Sequence, residues 1–486
     1  MPFSRVHRAA HWAICFRTSA LFLALAAVAI ALVACSSDPE PTPTAVATAT
    51  ATATVAPPTQ TPVPTTPTPV PATPTLAATP SPTPAATPEE PAQTLENLLA
   101  SIERDIEKLR GIDTPPPVEH KFVDQAGMRE RIAEEFEDPE VVEQIDHESV
   151  LLKLLGVIPQ DSDLAAIYES MLGGQVLGLY DPEKEQFFVL GDVGSGVESL
   201  GVEAQLTYAH EYVHRLQDAA FDLEAITDLE SSDDMSIAIS ALIEGDATTA
   251  QAQYMFQVFD FRELSELLES ALAAQEEIIP APYFLQRGLE FSYVEGAAFV
   301  SRLIALGGFS AVDNAFENLP RSSEQILHPE KYFDSEEPIE LDVPDDAMGA
   351  GWLLKAENVL GEFFLKTWLE ALGSDRAGPA VAGWGGDAYG VFEDEAGELA
   401  LGVVIAWDSD ADAREFFVIA SDTLDAHEDF TIASSGLPEV LESWRGPGGY
   451  VVMSRWRSVD YGDVVAIGIT PTGDESHGLV FALAEE

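Results

Sequence analysis

Apolar residues recur along the chain at two different periods, and the change from one to the other divides the sequence. Over 94–109, Leu95, Leu98, Leu99, Ile102, Ile106 and Leu109 form one stripe, which predicts an amphipathic helix ended by Asp113-Thr-Pro-Pro-Pro. Helical spacing continues over 126–136, 139–155 and 163–172. Two β-type runs within 176–190, joined at Asp181-Pro182, predict a hairpin. The run 202–221, VEAQLTYAHEYVHRLQDAAF, has no Gly or Pro and repeats Leu206, Ala209, Val213, Leu216 and Ala220, so it predicts a helix with one buried face. Further helices are expected over 236–253, 256–278 and 289–306, with a loop-like stretch at 322–332. From Gly383 the pattern alternates: 399–406, 449–455, 463–469 and 478–483 read as strands around one helix at 410–420. The expected fold class is α+β: a mainly helical domain with a β-hairpin or edge sheet, followed by a small α+β module.

The first residues read differently. Arg5, Arg8 and Arg17 precede an apolar run that ends in Leu32-Val33-Ala34-Cys35, the pattern of a secretory signal. That ending is similar to a bacterial lipobox, which implies cleavage before Cys35, lipid on its thiol, and a protein tethered to the membrane outside the cytoplasm. Pro, Thr and Ala then dominate to about residue 91, with too little apolar surface to fold, so this stretch is expected to be a disordered spacer. The expected segments are 1–35 (signal), 36–92 (linker), 93–175 (helical region), 176–380 (central domain) and 381–486 (C-terminal module). The helices of 93–175 are read as scaffold, with a propeptide as the alternative.

Charge and cysteine usage narrow the chemistry. Of 24 basic side chains three arginines lie in the leader, so 21 face 83 acids, a balance that disfavours nucleic acid as a partner. The two cysteines, Cys15 and Cys35, both lie in the leader, so neither a disulfide framework nor a thiolate metal site is available to the folded part. Metal ligands have to come from His and carboxylates.

Such ligands occur at His210-Glu211-Tyr212-Val213-His214. Residues four apart share a helix face, so both imidazoles can point at one ion, and Glu211 can act as general base on a water beside it. Zinc is the expected ion, with one further O or N ligand and an open position. Glu244 is the first choice for that ligand, because Ile237, Ser240, Ala241 and Glu244 fall on one face and a carboxylate on a buried face needs a partner. Glu295, also before Gly-Ala on an apolar helix, is the rival. Asp246 is expected to orient a ligand His, and Tyr293 or His328 to stabilise an oxyanion.

His210 to His214 followed by a helix-borne Glu244 resembles the gluzincin type of zincin metallopeptidase. More narrowly, AHEYVHRLQD (209–218), LIEGDA (242–247), SSEQILHPEKY (322–332) and GWGGDAY (383–389) resemble a poorly characterised group of exported bacterial proteins with this motif. The resemblance spans about 178–407 and implies a zincin-like domain over 176–380, with Zn2+ on His210, His214 and Glu244 and catalysis by Glu211. It also implies a sheet edge beside the zinc helix that pairs with extended substrate. The chain departs from thermolysin-like enzymes in a longer spacing to the Glu. Thr248 also stands where those enzymes carry the aspartate that orients the first His. The expectation is therefore a membrane-anchored metalloendopeptidase acting on a peptide or protein. The alternatives are a non-catalytic envelope protein binding peptide or glycan on the same scaffold, and an acidic metal scavenger.

Overall fold

The computed structural model describes residues 95–172, 178–190, 200–229, 231–275, 281–435 and 440–484. The leader with Cys35 and the Pro/Thr/Ala linker lie outside these residues.

In chain order the helices are α1 (Leu95–Arg110), α2 (Gln125–Glu135), α3 (Pro139–Leu154), α4 (Leu164–Leu172), α5 (Val202–Phe221), α6 (Leu223–Thr227), α7 (Asp233–Val258), α8 (Phe261–Gln275), α9 (Tyr283–Gly307), α10 (Phe309–Glu317), α11 (Ser323–Leu327), α12 (Pro329–Phe333), α13 (Gly361–Ala371), α14 (Ala377–Val381), α15 (Asp410–Ala426) and α16 (Gly473–Ala484). The strands are β1 (Glu119–Val123), β2 (Gly178–Asp181), β3 (Gln186–Leu190), β4 (Trp352–Asn358), β5 (Trp384–Asp394), β6 (Leu399–Trp407), β7 (Thr431–Ser435), β8 (Leu441–Gly446), β9 (Gly449–Ser458) and β10 (Gly462–Thr470). The class is α+β.

Helix α7 runs through the middle of the helical part. Ser232 caps the Met235 N–H, and Asp233 and Asp234 occupy its first turn, where carboxylates suit the helix dipole. Its small residues let α9 approach closely. A Cβ on Gly245 would lie 2.3 Å from the Gly296 backbone, and one on Gly296 would lie 2.2 Å from the Ala241 carbonyl oxygen. Ser240 and Ser292 hydroxyls meet across the same seam at 3.1 Å.

On its other side α7 packs on α5, and α5 on α1. Leu99, Ile102 and Ile106 bury against Tyr208, Tyr212 and Leu216. The phenols of Tyr208 and Tyr212, one turn apart, donate to Glu103 and Glu107, also one turn apart, at 2.6 and 2.7 Å. Helix α1 is thus part of the scaffold around α5 and its side chains fill the core.

The predicted hairpin is β2–β3, and it belongs to a three-stranded sheet of order β1-β3-β2. Strand β1, invisible to the pattern analysis, pairs parallel with β3, while β2 runs antiparallel to it. Strand β2 lies along α5; a Cβ on Gly178 would come within 2.9 Å of Thr207.

A seven-stranded antiparallel sheet of order β4-β5-β6-β10-β9-β8-β7 forms the C-terminal part. Both faces are covered, so its central strands are apolar throughout. Leu401, Val403 and Ile405 of β6 face a core shared with α13, α14 and α15; Ala400, Val404 and Ala406 face the other side, under α16. Three expectations are corrected here. The sheet begins at Trp352, ahead of the expected boundary at 381; β4 is an edge strand of seven residues with none fully buried, so it leaves little hydrophobic signal. Residues 478–483 belong to helix α16: Leu479, Val480 and Leu483 pack on one side, over the paired Gly402 and Gly468, and a short apolar run has no distinguishing period. The single helix over 256–278 is broken at Asp260, whose side chain caps Glu263 N–H while Glu263 caps the Asp260 N–H.

The expected segments also share cores. Leu151, Leu154 and Leu155 of α3 and the residue after it sit in the core of the large sheet, while Val141, Ile145 and Leu152 face β2, β3 and α9. Among the described residues no single helix is long and apolar enough to cross a membrane.

Because the Gly245–Gly296 contact leaves no room for a methyl group, Gly296→Ala should lower stability by about 1–3 kcal/mol. The shift of the urea unfolding midpoint measures it.

Candidate metal centre

Helix α5 presents His210 and His214 to α7, one turn apart, with their rings nearly perpendicular at 84° and their centroids 4.7 Å apart. Glu244 reaches them from α7. The His210 and His214 Nε2 atoms are 3.0 Å apart, and Glu244 Oε2 lies 3.1 Å from the first and 3.6 Å from the second. Ligand atoms at about 2.0–2.1 Å from a tetrahedral zinc stand roughly 3.3 Å from one another, so these three atoms have the spacing of one face of such a tetrahedron. The second oxygen of Glu244 is buried without a hydrogen-bond partner. His210, His214 and Glu244 are a group that could hold a metal ion.

The cluster is dry: His210, His214 and Glu244 are 2, 1 and 1% exposed, and Glu211 is 5% exposed. Burial lowers the pKa of His210 against the pull of Glu244. Burial also opposes charge on His214, but the carboxylates of Glu244 and Glu211 outweigh it and raise that pKa. Glu244, which burial alone would push up, is drawn down to about 2 by the two imidazoles.

Glu211 follows His210 on the helix and points towards β2, where its Oε2 accepts the Tyr180 N–H at 2.8 Å. Burial pushes its pKa up to about 7, against the pull of His214 and that N–H.

His214 is held by a chain of groups that pattern analysis missed. Its Nδ1 lies 2.9 Å from Gln217 Oε1. The Gln217 amide group donates to Asp246 Oδ2 at 2.9 Å and to the Ile243 carbonyl at 3.0 Å, which fixes which end is the oxygen. His214 therefore carries its proton on Nδ1, and Nε2 offers a lone pair to the centre. Asp246 is paired in turn with Arg110 at 2.9 Å, and Arg110 continues to Asp313 at 3.0 Å and lies over the Phe309 ring. Asp246 thus bears on the orientation of His214 through Gln217, without touching the ring. Gln217 stands three residues after His214, a spacing that would have flagged it; nothing in the sequence marks Arg110. His210 Nδ1 and the Thr248 hydroxyl are both buried without a hydrogen-bond partner, in keeping with the missing aspartate at 248.

The other candidates separate. Glu295 is bound by Arg287 at 2.6 Å and stands apart from the cluster. His328 pairs with Glu362 at 3.0 Å, between the short helices α11 and α12 that replace the expected loop, and takes no part in the centre. Tyr293 does approach: its ring stacks on His210 at 6.1 Å between centroids. A second acidic group, Glu324, Glu336 and Asp408, already surrounds a cation, the Lys331 ammonium, at 2.7, 2.7 and 3.1 Å.

Residues 353–477 match the model of a family described as a domain of unknown function (DUF8575). The match opens in β4 and closes in α16, so it covers the large sheet and leaves His210, His214 and Glu244 outside it. No curated protein and no solved structure matches the chain.

Two outcomes follow from the Arg110–Asp246–Gln217 chain. Arg110→Met should destabilise the protein by about 3–5 kcal/mol in thermal or urea unfolding, since it strands a buried carboxylate; adding Asp246→Leu should recover most of the loss. Gln217→Leu should lower stability by about 1–3 kcal/mol, since it takes a buried donor from Asp246 and the Ile243 carbonyl, and weaken metal binding about 10–100-fold in competition with a chelating dye.

Proposed function

We propose that the chain is a zinc-dependent peptide hydrolase of the zincin type, carried outside the cell membrane on a lipid attached at Cys35. The observation that supports it best is the triangle of His210 Nε2, His214 Nε2 and Glu244 Oε2 with the Glu211 carboxylate beside it. His210, His214 and Glu244 would hold the ion, which when bound supplies Lewis acidity towards a peptide carbonyl and a water. Glu211 takes the proton of the attacking water on its carboxylate and returns it to the departing amine nitrogen. The Tyr180 N–H holds that carboxylate in place. Gln217 accepts the His214 Nδ1–H, which leaves Nε2 as the atom that would face the ion. Tyr293, whose ring stacks on His210, is the proposed partner of the developing oxyanion.

The second reading is a non-catalytic envelope protein in which the ion staples α5 to α7. The burial of all four side chains favours it.

Metal analysis of the purified chain should return one zinc, lost in Glu244→Ala. Glu211→Gln should keep the zinc and lose peptide hydrolysis by at least about 100-fold. Retained hydrolysis removes the mechanism, and no hydrolysis by the wild type on a peptide library leaves the staple. In the active protein the rate should rise with pH along a limb at or below pH 7, since Glu211 titrates at about 7 in the metal-free cluster and a bound dication lowers that value. Cys35→Ser should move the protein from the membrane fraction to the soluble one.

A further inference from the structure

Helix α10 turns sharply away from α9: the two axes are bent by 116° at Gly308, whose φ of +68° suits a glycine. The turn brings Phe309 and Asp313, four residues apart and so on one face of α10, onto the same buried guanidinium. The Phe309 ring centre lies 4.5 Å from Arg110 Cζ, and Asp313 Oδ1 accepts from Arg110 Nη2 at 3.0 Å. Arg110, in the last turn of α1, is 1% exposed. A cation so deeply placed needs carboxylates beside it. Among the described residues it has two: Asp246 inside the bundle and Asp313 at its edge, where the side chain is 39% exposed.

These two carboxylates do not act independently. Asp246 Oδ2 accepts both from Arg110 Nε, at 3.1 Å, and from the Gln217 amide, at 2.9 Å. One oxygen thus serves the cation and the amide that holds His214. Asp313 takes up part of the guanidinium charge and leaves that oxygen the stronger acceptor for Gln217. Without Asp313 the guanidinium would turn its whole charge on Asp246 and compete with Gln217 for the same atom. The Gln217 Oε1 would then accept the His214 Nδ1–H, at 2.9 Å, less strongly. Successive hydrogen bonds polarise one another, so a change at one end of such a chain is carried along it. An imidazole whose N–H is firmly bound is the more basic ligand and the better oriented one.

We propose that Asp313 is a positioning residue for His214, acting from the edge of the bundle through Arg110, Asp246 and Gln217. The role rests on the reading of His214 as a metal ligand, and it holds for a hydrolytic centre and for a structural one alike. It makes the half-exposed face of α10 the place where a change of charge is felt by the ion.

Two measurements on the full chain test it. In metal-free protein with isotope-labelled histidines, Asp313→Asn should shift the ring-nitrogen NMR signals of His214 and leave those of His328 in place. In competition with a chelating dye, Asp313→Asn should weaken zinc about 3–10-fold, a smaller step than at Gln217, and Asp313→Glu should restore it. With Gln217→Leu already present, Asp313→Asn should change zinc affinity by less than about twofold, because the chain is cut between them. A merely structural ion pair would lower Tm and leave the His214 signals and the zinc affinity as they were; that result overturns the role. So does a loss of affinity equally large in the Gln217→Leu background, since the effect then bypasses the chain. Should Gln217→Leu fail to fold, the His214 signals and the Asp313→Glu rescue decide. A wild-type chain that takes no zinc removes the metal centre itself, and the His214 signals of the metal-free protein still decide whether Asp313 acts on that ring.

Discussion

A carboxylate in a dry interior has to be matched, and the helical part of this protein is arranged around that requirement at Glu244. Its charge sits among apolar helices because two imidazoles converge on it from one side. Those imidazoles can converge because α5 carries them one turn apart, and α5 is held in register by the Tyr208 and Tyr212 hydrogen bonds to α1. On the far side α7 needs no side-chain bulk, so Gly245 and Gly296 bring α9 into backbone contact behind the carboxylate. Three helix–helix seams thus serve one ionic cluster.

The same logic repeats one layer out. Asp246, two residues along α7, is fully buried and is matched by Arg110 and by the Gln217 amide. Matched in this way, the network ties α1, α5 and α7 to one another. The orientation of His214 is set by this packing, so precision at the centre and stability of the bundle have a common source.

Helix faces were legible in the sequence, and sheet pairing was not. His210, Glu211, His214 and Glu244 were found because period and polarity agree: a polar residue on a buried stripe announces a need for a partner. The stripe of α1 was equally plain. Strand β1 was missed because pairing to β3 is a long-range event with no local pattern. Helix α16 was mistaken for a strand because GLVFAL is apolar at either period. Its helical state follows from Gly402 and Gly468, which make a shallow seat that only the folded sheet presents. Arg110 was invisible for a related reason: a cation in the last turn of a helix is ordinary until Asp246 arrives from 136 positions away.

That separation bears on when the centre forms. Arg110 lies at the end of the first described helix, and its partner emerges from the ribosome only after α2 to α5 and both edges of the small sheet. Until then the Arg110 guanidinium and the histidines of α5 have no mates, and closing so long a loop carries an entropic cost that local contacts do not offset. His210, His214 and Glu244 are therefore brought together as one event with the docking of α7, which cannot precede the synthesis of Val258. Any event that keeps α7 from docking leaves Glu244 apart from both imidazoles, however well α5 has formed.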